Sequence, residues 1–284
     1  MPISPLAAAL VTRFAPSPTG LLHLGSAYAA LVAWRRAEAV GGRFLLRIED
    51  IDPARCRPEY TAALQDDLRW LGLEWETPIR HQSAHFPDYR KALDRLAALG
   101  VLYPCTCTRA DIAAAVSAPH GPEGPLYPGT CRHWPIDPVQ PHALRLDTAA
   151  ALALTGPLTW FEEGEGRIPC DPLAFGDPVL ARKDTPASYH LCVTHDDALQ
   201  GVTLVTRGAD LRPATSLHRL LQTLLAWPEP AYAHHPLIRA PDGTRLAKRD
   251  ASLTLRALRA AGYTPSDLRA RIADAAATRG DGVD

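Results

Sequence analysis

The sequence has no long apolar run, little net charge and few lysines. Nowhere do eighteen apolar residues follow one another, so no membrane-spanning helix is expected. No basic region followed by a long apolar stretch stands near the start. A signal peptide is therefore not expected, and the expected location is cytoplasmic. The formal net charge is −1, which excludes a globally basic surface; a nucleic-acid partner would have to meet a local arginine surface. Internal repeats are absent, and the only compositional bias is toward alanine. Six cysteines without a secretory signal point to reduced thiols, not disulfides. Lysine occurs three times (Lys91, Lys183, Lys248) against 27 arginines.

What is present is ordinary in bulk and specific in detail. The 284 residues, 46% hydrophobic and 21% charged, suit a globular enzyme of one large or two smaller domains. Residues 9–14 are a short apolar run with β-branched members, as in a buried strand. Pro16, Pro18 and Gly20 then force a loop. From Ser26 onward, Ala27, Ala29, Ala30, Leu31, Ala33, Trp34 and Ala37 form strong helix-forming sequence. Gly25 and Ser26 are thus expected at a helix start. A strand, a glycine-bearing turn and a helix N-terminus together make an anion cradle, because free N–H groups and the helix dipole point at one spot. His23 is placed to donate to a phosphate oxygen, and Gly25 leaves room for a flat base. Near the other end, Pro241-Asp242-Gly243 signals a turn, followed by Arg245, Lys248 and Arg249. Such a cationic cluster is what a pyrophosphate leaving group requires.

Further elements follow from periodicity. Residues 43–48 read as a second buried strand. Residues 59–71 and 88–99 carry helical apolar faces closed by Gly72 and Gly100. Residues 202–205 read as a strand, and Leu217, Leu220, Leu221, Leu224 and Leu225 as one helical stripe. Strands alternating with helices imply a parallel α/β sheet. Glu49, Asp50 and Asp52 fall at the carboxyl end of the second strand, where such sheets bind ligands. The Pro/Gly-rich stretch 117–141 reads as an irregular insert. Cys105, Cys107 and Cys131 lie in or beside it and have a zinc-like spacing, whereas Cys56, Cys170 and Cys192 are scattered packing residues. By spacing alone the fourth ligand would be His133 or His120.

The chain resembles the class I aminoacyl-tRNA synthetases of the glutamate group. Their first hallmark appears as His23-Leu24-Gly25-Ser26 and their second as Arg245-Leu246-Ala247-Lys248-Arg249. The stretch from Arg13 to Ser26 and the run Leu46-Arg47-Ile48-Glu49-Asp50-Ile51-Asp52 are also close to the group's signatures. The likeness spans about residues 10–250. Ser26 replaces a usual His, and Arg245 and Ala247 stand where Lys and Ser are usual.

The resemblance implies an α/β fold: a Rossmann-like parallel-sheet nucleotide-binding core, an inserted zinc-bearing subdomain and a short helical C-terminal extension. The expected divisions are 1–100 (first half of the core), 101–140 (zinc insert), 141–240 (rest of the insert and second half of the core) and 241–284 (cationic loop and C-terminal helix). It implies ATP contacts at Pro16, His23, Gly25, Ser26, Arg245, Leu246, Lys248 and Arg249, with His23 and Lys248 stabilising charge in the transition state. It implies a glutamate pocket of Arg13, Phe14, Ala15, Pro16, Ser17, Glu49, Tyr189 and Arg207. Glu49 would hold the α-ammonium and Arg13 a carboxylate, which a planar guanidinium grips bidentately. Two arginines suit a substrate with two carboxylates better than glutamine. For the metal, the small glutamyl-Q branch of the group carries Cys-x-Cys followed by Tyr-x-x-x-Cys. That points to one structural Zn²⁺ on Cys105, Cys107, Tyr127 and Cys131, with His133 in reserve.

Only 36 residues follow Lys248, with one helix expected after Thr264 and Pro265. This is short of an anticodon-binding domain, which again suits the small branch. The implied reaction joins L-glutamate to ATP-Mg²⁺ without tRNA and passes glutamate from the adenylate to the queuosine base at the first anticodon position of tRNA(Asp). A monomer is expected. Three alternatives stand beside it: a truncated synthetase charging a tRNA 3′ end, a small-acid adenylating ligase, and a non-catalytic zinc-bearing tRNA-binding module.

Overall fold

Val11, Thr12, Arg13 and Phe14 are all buried and form the first strand, β1 (Val11–Phe14). The computed structural model describes residues 9–114, 120–122, 124–133, 139–238 and 254–277. The chain divides into two units. The first is Met1–Gln82, Val202–Leu211 and Tyr232–Asp284; the second is Ser83–Gly201 and Arg212–Ala231.

In the first unit β1 leads to α1 (Leu24–Glu38), β2 (Arg43–Ile48), α2 (Pro58–Trp70) and β3 (Glu76–His81). β1 pairs in parallel with β2 from Val11↔Arg43 to Phe14↔Leu46, and β2 pairs in parallel with β3. Alanine explains how closely α1 lies on this sheet. Ala27, Ala30 and Ala33 are fully buried on one helical face, and the Thr12 hydroxyl donates to the Ala33 carbonyl at 2.8 Å. Helix α1 starts at Leu24, two residues before the expected Ser26, because the extended His23 backbone acts as N-cap and its carbonyl accepts from Ala27 N at 3.0 Å. Gly25 and Ser26 therefore lie inside the first turn. The return to β2 needs glycine at 42: a Cβ there would sit 2.4 Å from the Leu10 carbonyl oxygen.

β11 (Leu204–Gly208) lies against β1, with Thr203 N bonded to the Val11 carbonyl at 3.0 Å, and β12 (Ala231–His235) neighbours β11. The strand expected at 202–205 thus starts later and carries Arg207 within it. Among the described residues two helices, not one, follow the cationic segment: α8 (Leu255–Ala260) and α9 (Pro265–Ala277). Thr254 caps α8 by accepting from Ala257 N, and Thr264 and Asp267 cap α9 reciprocally. Leu255, Leu258, Leu268 and Ile272 join Leu31, Leu64 and Leu68 in the unit's core.

The second unit is built differently. β4 (Leu102–Cys105), β7 (Ala143–Leu146) and β10 (Val179–Ala181) form an antiparallel sheet in the order β10-β7-β4. Around it run α3 (Phe86–Ala98), α4 (Arg109–Ala114), α5 (Thr148–Thr155), α6 (Tyr189–Leu199) and α7 (Ala214–Leu224), with hairpins β5 (His120–Gly121) with β6 (Gly124–Pro125) and β8 (Thr159–Glu162) with β9 (Gly166–Pro169). Leu217, Leu220, Leu221 and Leu225 are buried, as their stripe predicts. Buried Asp177 ties the insert to the sheet. It accepts from Tyr103 Oη (2.5 Å), Arg132 Nε (3.0 Å) and Thr148 N (3.2 Å). Among the described residues no helix is long and apolar enough to cross a membrane.

Candidate active site and metal centre

The loop leaving β1 is fixed by its backbone. The Pro16 carbonyl accepts from Glu49 N at 3.0 Å, and the Pro18 carbonyl from Arg57 N at 3.1 Å. Pro16 is half-buried and Ser17 exposed. Among the described residues no side chain caps the N-terminus of α1, and its first turn holds no acid. Its N–H groups and dipole therefore remain suited to an anion. At this end the His23 imidazole Nε2 lies 3.2 Å from Ser26 Oγ. The ring sits against Gly25: a Cβ there would be 3.1 Å from His23 Cε1. The missing side chain thus makes room for the imidazole itself, besides the flat base expected against this backbone.

The C-terminal segment returns to this spot. Thr254 forms an isolated antiparallel bridge with His23, and Leu255 N donates to the Leu22 carbonyl at 2.9 Å. Arg245, Leu246, Lys248 and Arg249 lie outside the described residues.

Three expected pocket residues come from neighbouring strands of the first unit. Arg13 on β1 is buried, and its Nη1 donates to the Thr206 carbonyl of β11 at 3.1 Å. Phe14 faces the core, and Ala15 is half-buried beside Pro16. Glu49 follows the last residue of β2, as its position in sequence predicts, and is buried with Oε1 3.8 Å from Nη2 of fully buried Arg47. Asp52 instead turns to Arg55 at 2.7 Å, and this hydrogen bond holds its carboxyl below the usual range. Arg207 on β11 is buried and donates from Nε to His234 Nε2 at 3.1 Å. Tyr189 belongs to the second unit, where it opens α6 and meets His190 and His218 edge-on at 5.3 and 5.9 Å. Sequence reading missed Thr254 and His234. A capping threonine before a short helix was the available signal for the first; none marked the second.

In the second unit the Cys105, Cys107 and Cys131 sulfurs lie within 4.8 Å of one another, with Cys107 and Cys131 Sγ 3.5 Å apart. Tetrahedral zinc with Zn–S of about 2.3 Å sets sulfurs about 3.8 Å apart, so the three thiols suit such an ion. Tyr127 closes the group. Its hydroxyl is 3.5 Å from Cys107 Sγ and accepts from Cys131 N at 2.8 Å, while Arg145 covers its ring at 3.8 Å. Burial raises the Cys131 thiol, but hydrogen bonds from Tyr127, the Thr106 backbone and the other two cysteines outweigh it and bring the thiol down to about 7. Easier ionisation is what metal binding needs. His133 is exposed and not in the group, and the His120 side chain lies outside the described residues.

A parallel sheet, an open helix N-terminus behind its first strand, and buried arginines and a glutamate from adjoining strands define a nucleotide-binding α/β enzyme core. The fold has a counterpart in the crystal structure of Glutamate-tRNA Synthetase from Elizabethkingia anophelis (TM-score 0.73, 26% identity), over 86% of this chain and 54% of that one. The chain thus spans about half of that protein's length. Mycobacterium tuberculosis methionyl-tRNA synthetase in complex with methionyl-adenylate shares the fold at 12% identity and a TM-score of 0.58, over 93% of this chain and 64% of that one.

Sequence comparison carries further. A protein named Glutamyl-Q tRNA(Asp) synthetase from Rhodobacter capsulatus is 51% identical over 92% of this chain and 98% of its own length. One of the same name from Symbiobacterium thermophilum is 46% identical over 93% of this chain and 85% of its own. Residues 9–279 match the family described as tRNA synthetases class I (E and Q), catalytic domain. The chain belongs to that family and is a ligase of the class I tRNA synthetase type.

Proposed function

We propose that the protein activates L-glutamate with ATP-Mg²⁺ in the absence of tRNA, then transfers the glutamyl group to the queuosine base at the first anticodon position of tRNA(Asp). The observation that supports this reading is the delivery of buried Arg13, Glu49 and Arg207 from three neighbouring elements of the unit whose first strand leads into α1. The names of the relatives support the choice of amino acid and tRNA.

In the first step a glutamate α-carboxylate oxygen attacks the α-phosphorus of ATP and pyrophosphate leaves. Glu49 takes the α-ammonium. Arg13 grips the side-chain carboxylate, Arg207 completes the pocket within the first unit, and Ser17 adds a hydrogen bond. His23, the first-turn N–H groups at Gly25 and Ser26, and Lys248 with Arg245 and Arg249 stabilise charge on the phosphates. The short tether supports this pairing of distant motifs. Five residues separate Lys248 from Thr254, which is bridged to His23, and a chain spans at most about 3.5 Å per residue. In the second step a hydroxyl of the modified base attacks the activated carbonyl, with no covalent enzyme intermediate. Cys105, Cys107, Cys131 and Tyr127 would hold one Zn²⁺, which would supply a structural cross-link for the insert. The enzyme is read as a cytoplasmic monomer.

The test is the fate of labelled glutamate. ATP–pyrophosphate exchange should depend on glutamate and proceed without tRNA. Label should appear on queuosine-bearing tRNA(Asp) and be absent from tRNA(Glu). Esterification of the 3′ end of tRNA(Glu) would favour the truncated synthetase instead.

A further inference from the structure

We infer that Arg145 is the counter-charge of the metal centre: its guanidinium, stacked on Tyr127, balances the negative charge of the thiolate ligands and holds the tyrosine ring against them. The inference rests on the metal reading of the cluster. The sheet of the second unit delivers Arg145 to this place. On β7 it pairs with Tyr103 of β4, so the two project from the same face, and Cys105, two residues beyond Tyr103, shares that face. The guanidinium carbon lies 3.8 Å from the centre of the Tyr127 ring, and Nη1 donates to the Asp177 carbonyl at 2.7 Å. One ring and one hydrogen bond thus fix its plane.

What this cation lacks is an acid. Arg145 is 7% exposed; among the described residues its Nε has no hydrogen-bond partner, and no carboxylate forms an ion pair with it. Burying an unpaired charge is costly. The nearby Asp177 carboxylate is taken by Arg132, whose Nε donates to it at 3.0 Å and lies 3.7 Å from Asp147. Loading the cluster with metal supplies the missing charge. Three thiolates outweigh the two charges of Zn²⁺, so the loaded site is anionic whatever the state of the Tyr127 hydroxyl. A cation on the face of the ring is attracted both to the ring and to that excess. Lys183 also approaches, its Nζ donating to the Thr106 carbonyl between two of the cysteines at 2.7 Å, but it is exposed and screened by water and salt. Arg145 therefore favours the metal-loaded state over the metal-free one.

Zinc binding to the full chain tests the assignment with two variants. Arg145→Gln drops the charge but keeps an N–H for the Asp177 carbonyl; Arg145→Lys keeps the charge. In competition with a chromophoric chelator, Arg145→Gln should raise the Kd for zinc about 10–100-fold, the usual cost of losing a group that supports metal ligands from behind. Arg145→Lys should recover most of that loss. Thermal melts separate this role from simple packing. Zinc should raise the melting temperature of the wild type more than that of Arg145→Gln, while the two metal-free proteins melt together. An unchanged Kd in Arg145→Gln, equal losses in both variants, or an Arg145→Gln chain destabilised equally with and without zinc would overturn the assignment. Wild-type protein that binds no zinc would instead overturn the metal reading, and this role with it.

Discussion

The two units hold their functional groups by different means. In the first, Arg13, Glu49 and Arg207 are buried at a parallel sheet backed by a broad apolar core from Phe14 and Leu31 to Leu268 and Ile272. In the second, the thiol cluster ends a four-residue strand, and the buried apolar group around it is Tyr103, Cys105, Tyr127 and Cys131. Two of those four are cysteines of the cluster itself. The first unit keeps its charged groups in place by packing and by hydrogen bonds such as that from Arg13 to the Thr206 carbonyl. Among its described residues the insert has little buried apolar surface, which suits a cross-link of the kind small metal-stabilised modules use. Changes at charged residues of the first unit should therefore alter rates. Changes at the cluster should alter folding.

The largest effect should come from Lys248→Ala. Losing a cation that stabilises developing phosphate charge slows adenylate formation by about 10²–10³-fold. Rapid-quench kinetics and glutamate titration should show the rate falling while the glutamate Kd stays within about threefold. Equal losses in both would contradict the role. Next is the insert. Chelation, or Cys131→Ser, should abolish metal binding and raise hydrogen exchange across residues 101–140. Protection on β1 and α1 should persist. Uniform loss of protection in both units would mean that the two are not stabilised by separate means.

A stability effect is also expected inside the first unit. Asp67 on α2 is fully buried, and neither carboxylate oxygen has a hydrogen-bond partner among the described residues. Arg256 Nε on α8 is 3.9 Å away. Burial raises the carboxyl to about 6, more than Arg256 lowers it. Folded protein thus holds this proton up to about pH 6, whereas the unfolded chain loses it near the ordinary value of 3.8. Stability falls as pH rises through that window and stays reduced above it. Asp67→Asn should stabilise the protein at pH 7.5 by about 1–2 kcal/mol and have little effect near pH 4. Thermal melts at the two pH values check the sign; a destabilised variant at pH 7.5 would mean that the Arg256 pair outweighs burial. The smallest effect is assigned to Gly25→Ala. Its Cβ would press on the His23 ring at 3.1 Å, so kcat/KM for ATP should fall about three- to tenfold with the melting temperature nearly unchanged.

Much of the first unit was legible in sequence because its signals are local. Two apolar runs became β1 and β2, an alanine-rich segment became α1, and Thr264 with Pro265 marked α9. The edge strand β3 was not, because Glu76–His81 is polar and largely exposed. The six-residue α8 is too short to show a period. In the second unit, strands of three or four residues gave no alternation to read, so its antiparallel sheet was missed. The cysteine spacing signalled a cluster. It could not rank Tyr127 over His133, since that depends on which side chain folds inward. His234 was invisible for the same reason: its partner lies 27 residues away on another strand.

A structure with a non-hydrolysable glutamyl-adenylate analogue would test the central claim most directly. The α-ammonium should lie at Glu49, the side-chain carboxylate at Arg13, and the adenosine phosphate at the α1 N-terminus beside His23, with Lys248 against the phosphate. An analogue bound elsewhere, or a bound analogue with Lys248 remote from His23, would contradict it.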